Sequence, residues 1–322
     1  MNKILTIYDK KRNKKTGISK TLIGKHTKGC ILHFKNNTRI IYKDIFIKNN
    51  NLYHNENILN LHNFNIIIFN YNEDSSKRFN YLKKCIQIYK LIQLNNKSIK
   101  IFNNPLNQDL IADTFITYNK FKLCKYIKVP KFSKFFDNIK DSNFPIIVSE
   151  RIQCGGNGKI LIKKKEDIVQ TKNNPNKFWS IFYHSPSPFI EETFISIRLF
   201  IFCDELIDYN VRFSSNWNCR VKNNINDKDL YIKHQLFFRK YLEDNIIYIQ
   251  NIIDELYFFL GDGLYGHDFI LVNNKMILCE LGYKVFDETI NHKTRKYNLE
   301  DGICYSVEKT HEIYKKKLLY YI

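Results

Sequence analysis

Gly266-His267-Asp268-Phe269-Ile270-Leu271-Val272-Asn273-Asn274-Lys275-Met276-Ile277-Leu278-Cys279-Glu280 is the stretch from which the fold of this chain can be read. Two β-type runs, 267–272 and 275–281, flank the tight turn Asn273-Asn274 and predict an antiparallel hairpin. Each strand carries one carboxylate, Asp268 or Glu280, into an otherwise apolar run. A buried carboxylate is costly unless it is paired, hydrogen-bonded or bound to metal. Two on neighbouring strands repel each other unless a cation lies between them. Hard oxygen ligands with room for phosphate oxygens suit Mg²⁺. The alternative makes both carboxylates strand-end residues paired with Lys or Arg, and the residues alone leave both readings open.

Glycine placement is the next signal outward. Of eleven glycines, three fall in Gly155-Gly156-Asn157-Gly158 and three in Gly261-Asp262-Gly263-Leu264-Tyr265-Gly266. A chain this poor in glycine places it where the backbone approaches something closely or takes positive φ. The first cluster joins the β-runs 145–148 and 159–163. Such a loop presents N–H groups suited to phosphate oxygens, although by itself the signal is weak and a plain hairpin turn is the commoner explanation. It is not a P-loop, because neither its spacing nor a following helix matches. Between the two clusters, Arg198 and Arg212 punctuate consecutive strands, 198–203 and 205–213. Guanidinium groups there suit phosphate or carboxylate; surface ion pairs are the alternative.

Upstream of residue 120 the periodicity predicts an α/β layer with a parallel sheet. Its strands are 4–8, 38–46, 65–71 and 98–102, and its helices run from Asp74 or Ser75 to about 94 and from Asn107 to about 119. From 144 onward strands follow in quick succession, including 145–148, 159–163, 179–183 and 189–194. A long helical region covers about 227–260, and 298–322 reads as helical.

The chain has 322 residues, 44 % hydrophobic and 15 % aromatic, which supports one compact unit of two or three subdomains. The formal charge of +19 comes with abundant Lys, Asn, Ile, Tyr and Phe and scarce Gly and Pro. That joint bias is a genome-wide one, so the charge alone marks no nucleic-acid partner. A basic nucleic-acid binder is the lowest-ranked alternative, and would bind with a steep salt dependence. Eight cysteines form no C-x-x-C pair, which reads as reduced thiols in the cytoplasm. The start has the wrong charge order for a secretory signal, and no apolar run is long enough to span a bilayer. A homodimer is the default oligomer.

Taken in order, these pieces resemble the ATP-grasp superfamily, and most of all its RimK-like carboxylate–amine ligase branch, from about Asn103 to Asp287. The motifs are Asn103-Asn104-Pro105, Val129-Pro130, Phe144-Pro145-Ile146-Ile147-Val148 and the glycine loop. They continue with Ile190-Glu191-Glu192-Thr193-Phe194, Ile197-Arg198-Leu199-Phe200-Ile201, Leu260-Gly261, Gly266-His267-Asp268-Phe269 and Cys279-Glu280. The resemblance implies an α/β (α+β) architecture in three parts. These are an N-terminal pre-ATP-grasp layer (1–120), a lid with the glycine loop (121–194) and a C-terminal antiparallel-sheet subdomain with the metal site (195–322). It also implies ATP and Mg²⁺ as cofactors, and a small-molecule or peptide carboxylate and an amine as substrates.

By the same resemblance, Gly155, Gly156 and Gly158 fold over the phosphates, with Arg151 or Lys159 supplying charge. The backbone of Glu191, Glu192, Thr193 and Phe194 meets adenine, and a nearby acid meets the ribose. Asp268 and Glu280 hold the metal, Arg198 and Arg212 steady the acyl phosphate, and Lys284 meets substrate or phosphate. Two departures stand out. The family's phosphate-binding lysine falls on Ser149, and its Glu-x-Asn metal motif reads Glu280-Leu281-Gly282, leaving Asp287 or Glu288 as the replacement ligand. A catalytically inactive ATP-binding or partner-binding pseudoenzyme is therefore the principal alternative.

Overall fold

The computed structural model describes residues 4–8, 37–70, 78–152, 158–170, 174, 176–219, 227–282, 313 and 316–321. The N-terminal layer holds strands β1 (Ile4–Tyr8) and β2 (Asn37–Ile41), then β3 (Ile45–Lys48), β4 (Asn51–His54) and β5 (Asn57–Ile58). It continues with β6 (Ile66–Asn70), helix α1 (Arg78–Asn95) and β7 (Lys100–Phe102). Strands β2-β1-β6-β7 form a parallel sheet in that order, and β3-β4-β5 form a small antiparallel one. Helix α1 buries Leu82, Cys85, Ile88 and Ile92, one face at three- and four-residue spacing, against this layer. The basic segment 9–28 lies outside the described residues, as does most of 298–322.

Asn103 joins this layer to the rest of the molecule. It is buried at φ 57, a conformation asparagine tolerates. Its N–H donates to Asp262 O (2.9 Å) and its Oδ1 accepts from Leu264 N (2.8 Å). The helix expected from Asn107 to 119 is in fact two, α2 (Gln108–Ala112) and α3 (Thr114–Phe121). Asp113 breaks it, because its Oδ1 caps the N–H groups of Phe115 and Ile116 while its Oδ2 pairs with Arg151 at 2.5 Å.

A further sheet, called the lid sheet after the subdomain expected there, contains β8 (Phe132–Ser133), β9 (Ile146–Glu150), β10 (Lys159–Ile162) and β11 (Lys177–Ile181), ordered β10-β9-β11-β8 and antiparallel. One face packs Ile146, Val148, Ile162 and Trp179 on Phe136, Ile139 and Ile168. The other turns Phe132 and Phe178 toward Phe115 and Tyr118 of α3, with ring centroids 5.4–5.9 Å apart. The strand expected over 189–194 is instead a run of bends and a turn, and the next strand begins at Phe194.

That strand is β12 (Phe194–Phe202). With β13 (Glu205–Ser214), β14 (Leu264–Val272) and β15 (Lys275–Glu280) it makes an antiparallel sheet ordered β13-β12-β14-β15. The hairpin turn at Asn273 and Asn274 has φ 47 and 57, the two left-handed residues that such a turn needs. The long helical region divides at Asn245 into α4 (Lys228–Asp244) and α5 (Ile246–Leu260). Asp227 caps α4 through Leu230 N (2.9 Å), and Gly261 ends α5 at φ 69. Both helices cover one face of the sheet, where Ile195, Ile197, Leu199, Val211, Phe213, Tyr265, Phe269, Met276 and Leu278 are buried.

Each outer strand of this sheet is tied to neighbouring chain. Gln235 of α4 donates from Nε2 to Val211 O (2.8 Å) and accepts Val211 N at Oε1 (3.0 Å), as a neighbouring strand would. Across the sheet, Leu278 N donates to Lys128 O (2.8 Å), and Lys128 bridges Ile277. The entry to the lid is held by Glu255 of α5. Its carboxylate accepts the N–H groups of Lys125, Tyr126 and Ile127 at 2.7–3.2 Å. Among the described residues no helix is long and apolar enough to cross a membrane.

Candidate active site

The face of the β12–β15 sheet turned away from the helices is polar. Alternation along β12 and β13 brings Ser196, Arg198, Asn210, Arg212 and Ser214 to it. Register then sets Arg198 opposite Asp268 and Asp268 opposite Glu280. Glu280 reaches this face only through a β-bulge. Phe269 pairs with Leu278, which lies in the core, so a regular strand would send Glu280 to the core as well. Cys279 is the extra residue that reverses the parity, a device common beside active sites.

Asp268 is gripped from two strands. Arg198 Nε and Nη2 donate to Oδ1 and Oδ2, both at 2.7 Å, and Arg212 Nη2 donates to Oδ1. All three side chains are largely buried, Asp268 at 16 % exposure. Burial lowers the Arg212 pKa and Asp268 opposes that, while Nε of Arg212 is a buried donor with no hydrogen-bond partner among the described residues. Lys159, from the lid sheet, places Nζ 3.7 Å from Glu280 Oε2. The two sheets therefore meet here, with three cations and two carboxylates gathered between them.

Ser149, which sits where a lysine was expected, pairs directly with Lys159 across β9 and β10, so that the Lys159 ammonium stands on the next strand, about 5 Å away. Arg151 is differently employed, between Asp113 and the Phe115 ring (5.5 Å). Gly158 has φ 70 and its carbonyl accepts Glu150 N (3.3 Å). Gly155, Gly156, Lys284, Asp287 and Glu288 lie outside the described residues.

Residues Glu191 and Glu192 are exposed on the turn leading into β12, with Glu192 at φ 55, and Thr193 is buried. The turn closes through Ser187 N donating to Thr193 O (2.7 Å). Four apolar residues were not anticipated as part of a site. Ile147 and Leu161 share the cleft face of the lid with Lys159, and Ile270 and Ile277 share the opposing face with Asp268 and Glu280. Their signal was parity with the charged residues, hidden in β15 by the bulge.

A divalent ion can be tested against this donor set. Among the described residues no group of three His, Cys, Asp or Glu could hold a metal by itself. Mg²⁺, however, binds through one or two carboxylates and takes its remaining ligands from water and phosphate. Glu280, 23 % exposed and 3.7 Å from Lys159, fits that role with a nucleotide-borne ion, and Asp268 would share it beside the two arginines that already donate to it.

No protein-family model matches the chain, and no curated protein matches it by sequence. Solved structures do. A RimK-domain ATP-grasp protein of Sphaerobacter thermophilus superposes with TM-score 0.53 at 10 % identity, over 98 % of this chain and 99 % of that one. The chain has the ATP-grasp fold. A second ATP-grasp structure, the ligase PsnB with minimal precursor, Mg and ADP, gives TM-score 0.58 at 8 % identity over 99 % and 97 %. The third, D-alanine–D-alanine ligase of Bacillus anthracis, gives 0.54 at 12 % over 99 % and 98 %.

Proposed function

We propose that this chain is an ATP-dependent carboxylate–amine ligase whose substrates are an amino acid or peptide and a second carboxylate or amine partner. The observation that carries the reading is the meeting of Arg198, Arg212, Lys159, Asp268 and Glu280 between two opposed sheets of an ATP-grasp fold. Ile147 and Leu161 on one side, with Ile270 and Ile277 on the other, suit the two faces of a flat purine. The Glu191–Phe194 backbone borders the base, and the segment around Gly155, Gly156 and Gly158 covers the phosphates.

The reaction balances in two steps. A substrate carboxylate oxygen attacks the γ-phosphorus and ADP leaves; an amine then attacks the acyl carbon and phosphate leaves. Lys159 and Arg212 neutralise the phosphoryl oxygens, and Arg198 holds the carboxylate in line, so positioning and charge provide most of the acceleration. Glu280, with Asp268, would hold Mg²⁺, which supplies further charge neutralisation to the phosphates when bound. The lid excludes water from the acyl phosphate.

A second reading, an ATP-binding protein without turnover, is favoured by one observation: both Asp268 oxygens are taken by arginine while Gly282 stands where a metal-ligating asparagine was expected. The test is ADP release from Mg-ATP with pools of amino acids and peptides, with hydroxylamine to trap the acyl phosphate. The ligase gives ADP and hydroxamate, and Glu280→Gln abolishes both. Nucleotide binding without ADP release from any pool supports the second reading, and unchanged turnover in Glu280→Gln removes the metal role.

A further inference from the structure

The turn from Ser187 to Thr193 is held from outside by a buried histidine that the reaction does not use. His234 of α4 is fully buried, stacked on Phe213 with centroids 4.3 Å apart and planes 7° apart, and met edge-on by Phe189 at 5.1 Å. Its Nδ1 lies 2.7 Å from Leu230 O and its Nε2 2.8 Å from Ser187 Oγ. A carbonyl can only accept, so Nδ1 carries the proton and Nε2 accepts from the Ser187 hydroxyl. With its hydrogen so directed, Ser187 Oγ offers lone pairs to Phe189 N (3.1 Å) and Ile190 N (3.2 Å). Ser187 N in turn donates to Thr193 O, which closes the loop. One imidazole thereby fixes the hydroxyl, the two amides and the shape of the turn that ends at β12.

We propose that His234 is a positioning residue for base recognition. Through Ser187 it holds the 187–193 turn in the form that presents the Glu191–Phe194 backbone to a purine. The proposal rests on the nucleotide-binding reading above and adds to it the group that orders the base-contacting edge. Neither residue touches the phosphate end of the cleft, so the two ends of a nucleotide should respond separately.

The experiment is calorimetric titration of the full chain with Mg-ADP and with Mg-tripolyphosphate, which carries no base. Ser187→Ala removes the hydroxyl, and His234→Phe keeps the stack on Phe213 while removing both nitrogens. Each is expected to weaken ADP about tenfold, the scale of one lost hydrogen bond, and to leave tripolyphosphate unchanged. The double variant should be no weaker than either single one, and Ser187→Thr, which keeps a hydroxyl, should regain ADP affinity. Equal loss of ADP and tripolyphosphate, or no loss of either, overturns the positioning role while the nucleotide reading stands. Failure of the unaltered chain to bind either probe removes that reading and the proposal with it.

Discussion

Removing the Asp268 charge takes away the carboxylate to which both guanidinium groups donate in a largely buried site. Asp268→Asn should therefore lose about 3–5 kcal/mol of folding stability, measured by urea denaturation. Glu280 is more exposed and its lysine neighbour stands farther off, so Glu280→Gln should stay within about 1 kcal/mol of the parent stability. The same change should lower ADP release by at least about 10²-fold. A Glu280→Gln protein as unstable as Asp268→Asn would assign Glu280 to the scaffold. His234 makes a prediction in pH. Burial lowers its pKa from 6.5, with the Leu230 carbonyl opposing. The unfolded chain then takes up the proton first as pH falls. Stability is complete above about 6.5 and declines below it, by at most about 1.4 kcal/mol per pH unit. In His234→Phe this component of the melting curve disappears, and an unchanged profile would place the titration elsewhere.

Among the elements, the β14–β15 hairpin was legible because a carboxylate stands out inside an apolar strand and paired asparagines mark a turn. The handedness of β15 was not. That Glu280 shares a face with Asp268 depends on one inserted residue, Cys279, and nothing local distinguishes a bulge from a regular strand. Inserting one alanine between Cys279 and Glu280 should turn Glu280 toward the core, into the place of Leu281. The expected result is loss of ADP release together with destabilisation of several kcal/mol from a misplaced carboxylate, whereas deleting Cys279 makes the ladder regular with Glu280 still opposite Asp268 and should retain ADP release. The other discrepancies share a cause. The break at Asp113 depends on Arg151, far away in sequence, and the 187–193 turn depends on His234, farther still. Periodicity reads neighbours along the chain and cannot see either partner. Of the two basic residues considered in place of the missing lysine, Lys159 pairs with Ser149 and Arg151 with Asp113, contacts that the sequence does not reveal.

The molecule as a whole places a lid sheet beside a C-terminal sheet, and two contacts hold the lid's root: Glu255 gathers the amides of Lys125 to Ile127, and Arg151 clasps Asp113 while its carbonyl accepts Thr114 N (3.0 Å). Arg151→Ala should free the lid without unfolding the rest. Amide exchange in β9–β11 should accelerate at least about tenfold, the equivalent of about 1.4 kcal/mol, while β12–β15 exchanges as before. Uniform acceleration in both sheets would mean that the clasp stabilises the whole fold instead. The hold of Gln235 and Lys128 on opposite flanks of the β12–β15 sheet has a different consequence. Runs such as Ile195–Phe202 have the composition from which fibrils grow, yet here the backbone at Val211 and Leu278 is already occupied by the chain itself. A crowd of identical molecules is thereby denied the template for stacking strand upon strand.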